Sequence, residues 1–464
     1  MIGPERAVPP VSDPVEGPPG TGPVVDAQGL AALAAELHAD VPEVPFVPGW
    51  RAQLAMTWRD TVWLTLVLLT PLLSYGGNLG FSILMAVAGL ASFAVIPPAR
   101  RRSVGFALLA GLLVLALCSS AWAVWQPDLS HLEKARNAQA LTGVKLVFQL
   151  ALYGSVISAM VAVRRTTARF GLTVLAVGMA LVVAVVLIEF AGSERIYMSI
   201  KMALHQTARP DLARRNVGRA FYPLVLLIWP MGLHLWRKGG GWRGLAGFLA
   251  CGTLAGALVF RVDAAIVALL AGSLAVAAVM YSGRLAIVSA MGAAIAYFVL
   301  APLMFSAHCP LGLLHAGGGV AKASWGARLE IWRVAASLIE RRPFLGWGLD
   351  ASRAFPGIIP LHPHDAALQV WLELGAAGIG LVATFFAWMF IRIEMVRQRD
   401  TPLAAAAVGS LVAYLVIGGL SFGIWQEWWL GLGALTIVVF SALTNARRLP
   451  RADTLSQLVP LASL

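Results

Sequence analysis

FGLTVLAVGMALVVAVVLIEFA, residues 170–191, is a run of 22 residues in which only Glu189 is charged. As a helix it rises about 33 Å, enough to cross the roughly 30 Å hydrocarbon layer of a bilayer. Comparable runs flank it at residues 58–75, 79–97, 104–125, 143–163, 218–236, 244–260, 264–281, 285–305, 368–391, 403–420 and 429–446. The pattern predicts about twelve transmembrane helices, with two short ones meeting at Arg261 and Asp263. The whole chain of 464 residues agrees, with 59% hydrophobic and 12% charged residues and a mean hydropathy of +0.77. Soluble domains carry about 25% charged residues. A soluble multidomain enzyme is therefore excluded, and the expected fold is an all-α polytopic membrane protein with the lipid bilayer as its solvent.

The charge that remains is ordered along the chain. Arg100 to Arg102, then Arg164, Arg165 and Arg169, then Arg237, Lys238 and Arg243, then Arg284, then Arg392, Arg397 and Arg399, and lastly Arg447, Arg448 and Arg451 fall in every second loop. By the positive-inside rule these loops and both termini are cytoplasmic. The net charge of +12 therefore reads as topology signals between spans, and no nucleic-acid partner is expected. Residues 1–50 run the other way, with Arg6 against seven acidic residues, and they hold ten of the 26 prolines. Residues 1–55 are expected to be a disordered, Pro-rich cytoplasmic tail with a short helix near 27–39. They lack the basic start and apolar core of a signal peptide, so the first span is expected to direct its own insertion. Spans one to nine then occupy 56–305, a large periplasmic loop 306–366, spans ten to twelve 367–446, and a second cytoplasmic tail 447–464. Cys118, Cys251 and Cys309 are too few and too dispersed for a disulfide framework.

The 306–366 loop holds His308, His315, His362 and His364, half of the eight histidines, together with Arg328, Arg333, Arg341, Arg342 and Arg353. Order is expected there. Ser324 can cap a helix whose Leu329, Trp332, Ala336 and Ile339 share a face, ended by Pro343 and the Gly346-Trp347-Gly348 turn. The loop closes on Leu361-His362-Pro363-His364-Asp365, where Pro363 places the His pair at a helix N-terminus. The helix dipole and a nearby arginine disfavour imidazolium, leaving the neutral ring a general base needs. Two other readings stand beside this one: interfacial polar residues that only cap the helix, or a metal site made from His362, His364 and Asp365.

Asp365, Gln369 and Glu373 recur every four residues, so they share a face expected to point into a protein cavity. Gly375 and Gly378 are expected to pack against a neighbouring helix. Arg209, Arg214, Arg215, Arg219, Arg261 and Arg328 lie on the side where positive charge is disfavoured. Either Glu189, Glu330 or Asp263 neutralises them, or several converge on an anionic ligand such as a phosphate. No P-loop, H-E-x-x-H, G-x-S-x-G or Asp-rich motif accompanies them, so no metal and no cofactor is expected.

His364-Asp365, nine residues, then Gly375-Ala376-Ala377-Gly378 resembles the signature of bacterial O-antigen ligases. Arg328-Leu329-Glu330-Ile331-Trp332 through Pro343-Phe344-Leu345-Gly346-Trp347-Gly348 to His364 is similar to the core of the wider O-antigen ligase and polymerase superfamily. Asp365 stands where the family has Asn, Ser or Gln, and a carboxylate there is expected to raise the pKa of His364. The family's R-x-x-x-L motif maps onto Arg261, with Ala265 at the Leu position and Ile266 after it.

The resemblance implies a metal-independent, inverting glycosyltransferase of the GT-C type in the bacterial inner membrane. Its donor would be an undecaprenyl diphosphate-linked glycan and its acceptor the lipid A-core oligosaccharide, on the periplasmic side. His364 would be the base and Arg261 the catalytic arginine, with Arg215 or Arg219 as the second. Arg328, His362, Asp365 and Gln369 would bind substrate. A polymerase of O-antigen or exopolysaccharide, or a protein O-glycosyltransferase, shares this donor chemistry. A lipid-linked saccharide transporter would instead show repeated halves, broken helices and ionisable groups at mid-membrane depth, signs that are scarce in this sequence, where the ionisable clusters lie near the outer ends of spans.

Overall fold

The computed structural model describes residues 49–97, 103–127, 141–207, 209–306 and 323–447. It is 82% helical, with no strand among those residues. The helices are α1 (Trp50–Gly76), α2 (Gly80–Ser92), α3 (Val104–Ser119), α4 (Thr142–Met160), α5 (Arg165–Ala191), α6 (Arg195–Ala203), α7 (Pro210–Gly218), α8 (Phe221–Lys238), α9 (Gly241–Val259), α10 (Asp263–Ser282), α11 (Arg284–Phe305), α12 (Ala323–Arg341), α13 (Ala366–Arg397), α14 (Thr401–Leu420) and α15 (Glu427–Arg447). Each of the twelve predicted apolar stretches is one of these helices. By length and composition, eight of those described can cross a membrane: α4, α5, α9, α10, α11, α13, α14 and α15. α2 and α3 are apolar but shorter.

Boundaries move where local chemistry allows it. α1 begins at Trp50, inside the tail expected to reach residue 55, because no Pro or Gly follows Pro48-Gly49 until Pro71. The helix near 27–39, His308, Cys309, His315 and the tail beyond 447 lie outside the described residues. The short α9 and α10 are separate helices that turn at Phe260–Val262.

Packing joins elements distant in sequence. α10 lies along α14, α11 along α13, and α8 between α9 and α14, while α15 packs on α4 and α5. Two buried carboxylates within this bundle are bound internally, as an apolar solvent requires. Asp60 of α1 accepts from the Thr167 hydroxyl at 2.6 Å and from the Arg164 N–H at 3.1 Å, and pairs with the Arg164 side chain. Glu189, offered by the sequence as a counter-ion for arginine, has another task. Buried, it accepts from the Ile196 and Tyr197 N–H groups at 3.0 and 2.5 Å and from the Tyr75 hydroxyl, fixing the turn into α6.

Candidate active site

α12 is the strut on which the candidate residues are mounted. Its predicted face is buried: Trp332, Ala336 and Ile339 face the core, with Ile331, Ala335 and Leu338 beside them. Ser324 falls within the first turn instead of before it, since the helix already runs from Ala323. Trp325, Arg328 and Trp332 are three and seven residues apart and share one side. The Trp325 indole donates to Asp263 Oδ2 at 3.1 Å, one residue beyond the turn that carries Arg261. The Trp332 indole donates to the Pro363 carbonyl at 2.9 Å, between the two histidines. α12 thus ties the Arg261 turn to the His turn, with Arg328 between the ties. Trp332→Phe keeps an aromatic ring but deletes this bond, and is expected to leave folding intact while lowering transfer activity about tenfold, the worth of one well-placed bond. Activity equal to the unmodified protein would show that the bond does not position His364.

His364 sits in the left-handed region at φ +60°. Its N–H turns back to His362 Nδ1 at 3.2 Å, and its own Nδ1 lies 2.9 Å from the Ser421 carbonyl. A carbonyl only accepts, so Nδ1 carries the proton and Nε2 keeps the lone pair. Burial lowers the His364 pKa, the Arg328 charge lowers it further, and the Ser421 bond works in the opposite sense. The ring is neutral at pH 7 with a basic nitrogen in reserve. His362 is more buried, and its pKa falls to about 3 through burial and then the fields of His364, Arg353 and Arg328. Because His362 Nδ1 accepts, its proton is on Nε2, 3.0 Å from the Gln426 amide. Turning that amide so that its oxygen, otherwise buried without a partner, takes this proton satisfies both groups. His362 therefore buttresses His364, with the ring centroids 4.3 Å apart.

Asp365 is the N-cap of α13. Its Oδ1 accepts from the Leu368 N–H at 2.8 Å and the Tyr297 hydroxyl at 2.9 Å. Burial pushes its pKa up to about 7 against the pull of these bonds. The carboxylate is committed to the helix and to Tyr297, and the His364 pKa is lowered, contrary to the expectation from Asp at this position. Gln369 also faces inward. Its amide donates to Glu373 Oε1 at 3.0 Å and accepts from the Ile424 N–H at 2.9 Å. Glu373, fully buried, takes three further bonds from the Asp350 N–H, the Ser352 hydroxyl and the Trp425 indole. Among the described residues, no group of three His, Cys, Asp or Glu side chains is placed to hold a metal ion, and His362, His364 and Asp365 each bond the protein through a side-chain atom.

α13 is broken at Gly375 (φ +61°, ψ −158°). The freed Leu372 and Glu373 carbonyls accept from the Trp347 and Gly348 N–H groups at 2.8 and 2.9 Å, while the freed Ala376 and Ala377 N–H groups donate to the Pro343 and Phe344 carbonyls at 2.8 and 3.2 Å. Non-helical backbone at this depth needs such substitutes. The sequence expectation for Gly375 is thus corrected: it meets loop backbone, not a neighbouring helix, and a Cβ there would lie 2.4 Å from the Phe344 carbonyl. Gly378 instead relieves its own helix, where a Cβ would meet Leu374 at 2.4 Å. The buried carboxylate of Glu373 lies on the face the sequence pointed inward, whereas the break in the helix is a feature the sequence did not disclose.

The arginines gather around the α9–α10 turn. Arg261 holds φ +53° where a helix C-terminus ordinarily takes Gly, a conformation that costs a larger residue about 1 kcal/mol. α7 lies against this turn: Arg214 donates to the Val259 carbonyl at 2.5 Å and stacks on Phe190 and Phe260, and a Cβ on Gly218 would touch Val262. Arg219 closes α7, and with Arg328 and Asp263 it lies within electrostatic reach of the Tyr222 hydroxyl, which sits beside Ser421. Arg215 is exposed on α7. Glu330 pairs with Arg333 at 3.6 Å and Asp211 with Arg209 at 2.8 Å. Among the described residues, no carboxylate lies within ion-pair distance of Arg215, Arg219, Arg261 or Arg328. Ala265, at the expected Leu position, is fully buried, so the short side chain still faces the core.

Residues 248–383 match the family model described as O-antigen ligase. Provisionally named polysaccharide ligases of Rickettsia felis and Rickettsia prowazekii are 30% and 31% identical over 133 and 132 residues. One of Rickettsia typhi is 30% identical over 138 residues. The first two alignments cover 25% of this chain and 32% of each relative, so the match spans about a third of their length. No solved structure matches the chain. The matched segment contains Arg261, Arg328, His362, His364, Asp365, Gln369 and Gly375, whereas Arg215 and Arg219 precede it.

Tyr297, Ser421 and Gln426, which hold the His turn, were not singled out in the sequence.

Proposed function

We propose that the protein is an O-antigen ligase of the inner membrane, moving a glycan from undecaprenyl diphosphate to a sugar hydroxyl of the lipid A-core on the periplasmic side. The reading is carried by His364, whose Nδ1–H rests on the Ser421 carbonyl and whose Nε2 is left as a base beside Arg328. Nε2 takes the acceptor hydroxyl proton as that oxygen forms a bond to the anomeric carbon. The bond from that carbon to the diphosphate oxygen breaks on the opposite face, inverting the centre. Arg261, Arg219 and Arg328 meet the departing diphosphate, whose low basicity removes the need for a general acid. Arg219 is preferred to Arg215 because it shares the neighbourhood of Tyr222 and Ser421 with Arg328. Asp365 and Gln369 act by holding the His turn.

The test is reconstitution of the purified protein with undecaprenyl diphosphate glycan and rough lipopolysaccharide. Transfer to the lipopolysaccharide that survives exhaustive chelation is expected. Extension of a second donor glycan in place of lipopolysaccharide would make the enzyme a polymerase, and passage of intact donor across the vesicle without transfer would make it a transporter. The break in α13 is a feature a transporter also shows. Here its freed backbone groups are taken up by residues 343–348, which supports a static role for the break.

A further inference from the structure

At the other end of α8, a helix-length of about 25 Å from Tyr222, four cations face one cavity. The cavity, of about 750 Å³, is lined by Arg169 and Phe170 of α5, by His234, Arg237 and Lys238 of α8, and by Arg447 of α15. One carboxylate, Asp400, is shared by two of the four cations, pairing with Arg237 at 2.8 Å and with Arg447. Arg169 is bound to the Ala446 carbonyl at 2.8 Å and Lys238 to the Thr173 hydroxyl at 3.2 Å, both neutral partners. Arg237 Nη1 is buried with no partner.

A topology signal requires only that basic residues be counted in a loop. It does not require that residues from 169, 234–238 and 447 surround one volume, and convergence of this kind describes a site for an anion. Phe170, 62% exposed, sits on its rim and turns an apolar surface outward, as a lipid chain would need. The Lys238 ammonium lies 3.7 Å from the centre of the Trp242 ring, an arrangement suited to the headgroup layer.

We propose that this cavity binds the phosphate headgroup of an anionic phospholipid, with an acyl chain along Phe170, on the side that the basic loops assign to the cytoplasm. The proposal is independent of the glycan-transfer reading.

The test is native mass spectrometry of the full chain in neutral detergent with added phosphatidylglycerol or phosphatidylcholine. Phosphatidylglycerol should be retained preferentially, and Lys238→Gln or Arg169→Gln should weaken its retention about fivefold each. Lys238→Arg should restore it, which separates lost charge from lost folding. Equal retention of the two lipids, or variants that bind like the parent, would overturn the site. Inorganic pyrophosphate that displaces phosphatidylglycerol and raises the melting temperature as much would assign the cavity to a soluble anion and overturn the lipid proposal.

Discussion

His364→Ala is expected to lower transfer about 10²- to 10⁴-fold, the usual worth of a positioned general base, while the protein inserts and purifies normally. The half-buried imidazole has one framework bond through its side chain, to Ser421, and the turn is held separately by Trp332, Gln426 and the Asp365 cap. Loss of the ring should therefore cost chemistry before it costs structure. The pH profile gives an independent reading. A base works when unprotonated, so the rate falls as pH drops through its pKa. Burial and Arg328 hold that pKa below the ordinary 6.5, so the acid limb should lie below pH 6.5 and the rate should be flat from there through neutrality. Arg328→Gln removes one depressing charge and should move the limb upward. Wild-type rates in His364→Ala, or an acid limb above pH 7, would remove His364 from the role of base.

The bundle was legible because an apolar run of about 20 residues has few alternatives to a membrane helix. Twelve such runs became twelve helices, and the α12 face was visible from its spacing. The His turn was legible too, since Pro363 before a helix and histidines beside arginines carry their own local chemistry. What stayed hidden depends on partners far along the chain. The His364 tautomer is set by a carbonyl 57 residues away. Arg219 and Arg215 look alike in sequence, and only the approach of Tyr222 and Ser421 separates them. Asp365 suggested a partner for the histidine, but helix capping and Tyr297 claimed it first. Gly375-Ala376-Ala377-Gly378 reads as helix-packing spacing because nothing local shows that a loop some 30 residues earlier will supply the missing hydrogen bonds.

That loop gives Gly375→Ala a large expected effect on the fold. The position combines φ +61° with ψ −158°, a region open essentially only to glycine. The added methyl would lie 2.4 Å from the Phe344 backbone, which cannot yield by rotating a side chain. Relief requires the 343–348 segment to move away, which breaks some of the four hydrogen bonds that span the gap in α13. Strain of about 1 to 3 kcal/mol and bonds worth about 1 kcal/mol each sum to roughly 4 kcal/mol or more, a large share of the stability of most proteins. Little folded protein should be recovered, and what is recovered should melt well below the parent. Gly380→Ala, in the same helix, is the control, because a Cβ there meets nothing within 4 Å. Equal melting of the two variants would refute the backbone lock. The consequence for activity follows from position: the short helical piece before Gly375 begins at the Asp365 cap and carries Gln369 and Glu373, whose bonds reach Ile424 and Trp425 beside the Ser421 carbonyl. Releasing the lock loosens the Asp365 cap and the Ser421 segment that hold His364, so Gly375→Ala should lose transfer even in the fraction that folds.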